Sequence, residues 1–354
     1  MKYKLLIMLT LLGVWAHAKP VALKYYKANN SSIHYVGRID FTNPAKPKFW
    51  APGVYMQVRF SGTSLMMDLN DEVLYNKNHN YIEIAVDQRV PYRIQTTGKS
   101  NHIVVAEHLS PGIHTATICK DTETNIGYLE MVGLQCAKLL PWVEHTQHKI
   151  EFIGNSITCG TGSDQSVVPC GKGVWQDQHN AYMAYGPRVA RMLNAQWNLT
   201  SYSGIGLIHS CCDIKFTMPD IFDRTNLLQD SLKWNFNKYV PDVVTVCLGQ
   251  NDGIQDSTAF CSAYVKFIGQ LRQHYPQADI VALTSPMGDE KLTAVLKKYI
   301  LSIEADRQKN GDTKVHHYFF SRQYHSGCDS HPSLEEHGLI AAELGSYLKK
   351  LKGW

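Results

Sequence analysis

After Pro141 the chain alternates short apolar runs with helix-length amphipathic segments, and this alternation constrains the fold more than any other feature of its 354 residues. The runs KIEFIG (149–154), NLTSYS (198–203), DVVTVCLG (242–249), DIVALTS (279–285) and VHHYFF (315–320) are rich in strand-forming side chains. Between them stand AYMAYGPRVARML (181–193), STAFCSAYVKFIGQLRQHY (257–275) and LTAVLKKYILSIEADRQKN (292–310), whose apolar residues recur at helical spacing. Apolar strands separated by helices predict a parallel sheet covered on both faces. A final helix is predicted where Leu334, Ile340, Leu344, Leu348 and Leu351 share a face, with Ser333 and Glu336 as its capping box.

Upstream, from about Ser32 to Gln135, helical periodicity disappears. The segments KFWAPGVYMQVRF, TSLMMDL, NYIEIAVDQ, HIVVAEHL and HTATICKD are short, often alternating, and separated by turn-rich stretches. That pattern predicts an all-β sandwich or jelly roll. The chain therefore divides into a β domain over 19–143 and an α/β domain over 144–354, as its length also favours.

Met1–Ala18 combines a basic start, an apolar stretch from Leu5 to Trp15 and an Ala16-His17-Ala18 ending. This is the pattern of a signal peptide, implying a secreted or periplasmic protein with no membrane span once it is removed. Net charge is +4 with Lys and Arg scattered, so nucleic acid is not an expected partner. Nine cysteines leave at least one unpaired in a monomer. Cys159 and Cys170 share a loop and are candidates for a bridge, whereas Cys119 and Cys247 lie in apolar runs where Cys serves as a small hydrophobe. Adjacent Cys211 and Cys212 lack CxxC spacing and no HExxH occurs, so no metal site is predicted.

In an open α/β sheet, ligands bind beyond the carboxyl ends of the strands. The loops there carry Gly154-Asn155-Ser156, Ser203-Gly204-Ile205-Gly206, Gly249-Gln250-Asn251-Asp252 and SGCDSHP (326–332). Together they hold the inventory of a serine hydrolase. Ser156 is the candidate nucleophile, His331 the base and Asp329 the group that orients it. Backbone N–H groups of Ser156 and Gly204, with the Asn251 amide, are the candidate oxyanion donors. Taken singly, each has a plainer reading: Ser156 as a helix N-cap, the SGIG segment as a turn, Asn251-Asp252 as a loop or cap.

These four blocks resemble those of the SGNH hydrolases, relatives of the GDSL esterases named for a Ser, Gly, Asn and His that here are Ser156, Gly204, Asn251 and His331. More narrowly, the chain resembles the second family of carbohydrate esterases, acetyl xylan esterases with an N-terminal jelly roll. The stretches FSGTSLMMDL (60–69), GNSITCGTG (154–162), YSGIGLI (202–208), MPDIFDRT (218–225), PDVVTVCLGQND (241–252) and GCDSHPSLEEH (327–337) carry the likeness. It implies a flavodoxin-like second domain and a serine esterase that removes acetyl groups from plant-cell-wall polysaccharides or oligosaccharides such as xylan and glucomannan, without metal or organic cofactor. Asn155 stands where many relatives carry Asp, Gln250 where Thr is common, and Ser330 where many carry an aromatic residue. Some members work with Ser and His alone, which bears on Asp329. Trp175, in the loop after the first block, is a candidate sugar platform or else a core residue. The competing readings are an esterase for another glycan such as peptidoglycan, a lipid esterase, and a carbohydrate-binding protein with an inert hydrolase domain.

Overall fold

The structure, a computed structural model, describes residues 22–354, so the segment Met1–Ala18, expected to be a signal peptide, lies outside the described residues. Ten strands between Lys24 and Leu140 form one antiparallel hydrogen-bonded network. Its backbone is a single strand of 17 residues, Tyr55–Asp71, which continues through Ser61-Gly62 and so joins the segments KFWAPGVYMQVRF and TSLMMDL that the sequence presents as separate. Met56, Val58 and Phe60 are buried before this point and Leu65, Met67 and Leu69 after it. The buried set therefore changes from even to odd positions. Such a change of phase is what a β-bulge produces, and the pairing register against Leu129–Leu140 shifts here, between the pairs Lys138–Ser61 and Cys136–Leu65. One half pairs with Gly112–Lys120 and the other with Ser100–Ala106, so a bent strand serves both parts of the expected sandwich.

The second sheet has five parallel strands in the order Ala195–Ser201, His148–Gly154, Val243–Cys247, Asp279–Leu283 and Val315–Tyr318. All five expected strands are present. Successive side chains of a strand face opposite ways, and both faces are covered here. Ile150 and Phe152 join a core with the helices Tyr185–Met192 and Leu334–Lys352. Ile153, Val244 and Val246 join another with Ser257–His274 and Glu290–Lys309. The predicted capping box closes the last helix, with Ser333 Oγ accepting the Glu336 N–H and Glu336 accepting the Ser333 N–H.

Buried polar contacts join the two sheets. The Arg38 guanidinium, wholly inaccessible, donates to the carbonyls of Phe222 and Arg224 at 2.6 Å each and pairs with Glu151 at 3.2 Å. Glu151 is equally buried and also accepts from Thr200 at 2.6 Å. Nearby Tyr55 stacks on Trp197 with ring centroids 3.9 Å apart. Losing one member of a buried pair leaves the other charge without compensation. Arg38→Met should thus lower the free energy of unfolding by about 3–5 kcal/mol in urea titration. A loss below about 1 kcal/mol would show that Glu151 does not depend on Arg38.

Candidate active site

The strand His148–Gly154 ends at Asn155, whose side-chain oxygen accepts the Ile157 N–H at 3.1 Å and caps the short helix Ser156–Cys159. Capping thus falls to Asn155 and leaves the Ser156 hydroxyl free for another partner. That partner is His331, whose Nε2 lies 2.8 Å from Ser156 Oγ. The other ring nitrogen, Nδ1, lies 3.2 Å from the Cys328 carbonyl. With its proton on Nδ1 and donated to that carbonyl, the ring presents an accepting Nε2 to the serine.

Here the structure departs from the expected triad. Asp329 is exposed, its side chain makes no hydrogen bond to His331, and a backbone carbonyl occupies the place its carboxylate was expected to take. The reason is the local backbone. Asp329 and Ser330 both adopt left-handed conformations, with φ of 51° and 59°. Such φ values cost a non-glycine residue roughly 1–2 kcal/mol, so surrounding contacts must hold the turn. Gly327 N–H donates to the His331 carbonyl at 2.7 Å, and Cys328 N–H donates to the Gly162 carbonyl at 2.8 Å. A side chain at Gly162 would place its Cβ 2.7 Å from the Cys328 carbonyl oxygen, so the glycine is required by this approach.

A disulfide joins Cys170 to Cys328 and completes the clamp. The Cys159–Cys170 bridge considered from the sequence does not form. Cys159 is instead a buried thiol 3.2 Å from Ser201 Oγ. A second disulfide, unforeseen, links the neighbours Cys211 and Cys212.

Ser156, Gly204, Asn251, His331 and Trp175 line one cavity of about 440 Å³, together with Asn125 from the antiparallel domain and the Cys211–Cys212 pair. Gly204 has φ 81°, and a Cβ there would lie 2.9 Å from Cys211 Sγ. The Asn251 amide donates to the Ile205 carbonyl at 2.8 Å, which orients its NH₂ group. Asp252, which the sequence placed only as a loop residue, accepts the N–H groups of Leu207, Ile208 and His209 at 2.7–3.0 Å. It thereby holds the loop that follows Gly204. Gln250, at the position of family variation, accepts the Ser285 hydroxyl. Trp175 is 40% exposed and meets the buried His179 edge to face. Among the described residues no three His, Cys, Asp or Glu side chains gather as metal ligands.

Burial pushes the His331 imidazole below its ordinary range, and the Cys328 carbonyl, then Glu123, then Asp329 oppose it. A neutral imidazole against a serine hydroxyl, with N–H donors in the same cavity, is suited to acyl transfer.

Comparison with known proteins bears on the family of the chain. Residues 35–142 match the family described as Carbohydrate esterase 2 N-terminal, and residues 152–310 match the GDSL-like Lipase/Acylhydrolase family. A Cellulase/esterase CelE of Acetivibrio thermocellus is 32% identical over 343 residues, covering 92% of this chain, which spans 40% of that relative's length. An Acetylxylan esterase / glucomannan deacetylase of Cellvibrio japonicus is 27% identical, covering 92% of this chain and 91% of the relative. The solved structure of a family two carbohydrate esterase from Clostridium thermocellum, in complex with cellohexaose, superposes with a TM-score of 0.83. It is 30% identical and covers 91% of this chain and 99% of its own.

If the Cys328 carbonyl orients His331, Asp329→Ala should lower kcat by less than about tenfold, against the roughly 10⁴-fold that disabling the orienting aspartate costs a Ser-His-Asp enzyme. Steady-state rates on an aryl acetate decide this, and a loss of three orders of magnitude or more would restore Asp329 to a triad.

Proposed function

The chain belongs to the family two carbohydrate esterases, and from that premise we propose that it is a secreted serine esterase removing O-acetyl groups from plant-cell-wall polysaccharides such as xylan and glucomannan. The observation that carries the reading is the 2.8 Å contact between Ser156 Oγ and His331 Nε2, inside a cavity that Gly204 and Asn251 also line.

In the proposed reaction Ser156 Oγ attacks the acetyl carbonyl carbon while His331 Nε2 takes the hydroxyl proton. The carbonyl oxygen becomes an oxyanion, which accepts the N–H groups of Ser156 and Gly204 and the Asn251 amide. Collapse of the intermediate breaks the bond to the sugar oxygen, and His331 returns the proton to it. A water, deprotonated by the same imidazole, then releases acetate from the serine ester.

The Cys328 carbonyl supports this cycle by keeping the Nδ1 proton in place, so that Nε2 alternates between base and acid. Trp175, half-exposed on the cavity wall, offers a flat face for the apolar side of a pyranose ring. The proposal takes residues 19–143 as the β domain and 144–354 as the catalytic domain. Among the described residues no helix is long and apolar enough to cross a membrane.

Acetate release from acetylated xylan and acetylated glucomannan tests the reading, with Ser156→Ala beside the wild type. The expected result is release by the wild type alone and loss of at least about 10⁴-fold in the folded variant. Equal release by both proteins, or none by the folded wild type, would overturn it.

A further inference from the structure

The antiparallel domain sends one ionisable side chain into the catalytic loops. Glu123, on the turn after the strand Gly112–Lys120, is wholly buried, and its carboxylate reaches two of the loops that form the cleft. It accepts the Thr161 hydroxyl at 2.7 Å, the Ser203 N–H at 2.8 Å and the Ser203 hydroxyl. Thr161 N–H in turn donates to the Ser156 carbonyl at 3.1 Å, and Ser203 immediately precedes Gly204. Thr161 and Ser203 both line the cavity with Ser156 and His331.

No Lys or Arg nitrogen of the described residues lies within salt-bridge distance of this carboxylate; the one basic neighbour is His179 Nδ1 at 3.8 Å. Burial pushes His179 well below the ordinary imidazole range, and neither ring nitrogen has a hydrogen-bond partner. Lys120 Nζ turns to the backbone carbonyls of Thr122 and Glu123 instead, and burial lowers it to about 7. The hydrogen bonds of the Glu123 carboxylate therefore go to the cleft loops.

We propose that Glu123 is a positioning residue of the esterase site: it locks the Ser156 turn to the Gly204 loop and sets a buried negative charge beside the cleft that favours the imidazolium formed when His331 takes the Ser156 proton. This inference rests on the esterase reading above. It also explains how the site works with Asp329 turned to solvent, because a carbonyl orients the ring but brings no net charge. In agreement, Glu123 and Asp329 both pull the His331 imidazole upward against burial. The other titratable groups around the pair are accounted for. Burial lowers His337 to about 3 and keeps Cys159 and Tyr202 protonated, and Arg93 lies 3.7 Å from Asp121.

The test is kcat/KM against pH for wild type, Glu123→Gln and Glu123→Asp on an aryl acetate, with folding checked by near-UV circular dichroism. A base must be neutral to act, and removing a nearby negative charge disfavours the imidazolium. Glu123→Gln should therefore move the acid limb to lower pH while kcat on the plateau falls about tenfold or more and KM changes less than about twofold. Glu123→Asp should return the limb toward the wild-type position. A folded Glu123→Gln enzyme with an unmoved limb overturns the inference but leaves the esterase reading intact, whereas an inactive wild type overturns both. Should Glu123→Gln fail to fold, Thr161→Val cuts one tie and keeps the charge. Lower kcat with an unmoved limb then supports the proposal, and unchanged kcat refutes it.

Discussion

Gly154 lies level with Ser201 on one side and with Cys247 on the other, and the chemistry depends on this register. Parallel strands lie about 4.8 Å apart, so three loops that leave adjacent strands at one height converge within a few ångströms. Those loops carry Ser156, Gly204 and Asn251. The register is enforced from both faces, because a slip of one residue would exchange Phe152 with Ile153 between their cores. It would also carry Glu151 away from Arg38, leaving two buried charges apart.

His331 follows the edge strand Val315–Tyr318, three places from the strand that ends at Gly154. That is about 14 Å at ordinary strand spacing, and the connecting loop has to recross it. Its end is fixed by Gly162, by the disulfide to Cys170 and by the Leu334 N–H donated to the Ser163 carbonyl at 3.0 Å. The strained turn at Asp329 and Ser330 is the conformational consequence. It sends the acidic side chain outward and the Cys328 carbonyl inward, so orientation comes from backbone. The antiparallel domain then contributes more than bulk, since Asn125 lines the cavity and Glu123 ties two of its loops.

The five parallel strands, the helices between them and the four site loops were legible because each has a local signal: apolar runs, helical spacing, glycine-bearing turns. The Ser156–His331 pair could be read for the same reason, since position in an α/β sheet follows from strand order. Conformation and long-range pairing were not legible. Asp329 stands two residues before His331, a placement from which one loop could deliver both groups of a triad, and only the left-handed backbone shows why it turns away. Cys159 and Cys170 are near in sequence, but Cys170 finds Cys328 across a separation of 158 residues. Ser61-Gly62 separates two strand-like segments in the sequence but lies in a bulged stretch of one strand, because pairing with Leu129–Leu140 continues past it. Glu123 follows the HTATICKD strand with no local mark of function; only the packing of one domain on the other gives it partners.

The central claim is that Ser156 becomes acetylated while His331 shuttles the proton. Rapid acid quench of enzyme turning over an acetyl ester, followed by peptide mass spectrometry, tests it most directly. The account predicts one acetyl group on the peptide holding Ser156, appearing with turnover and absent from Ser156→Ala. Acetyl on another residue, with Ser156 unmodified while acetate is released, would contradict it.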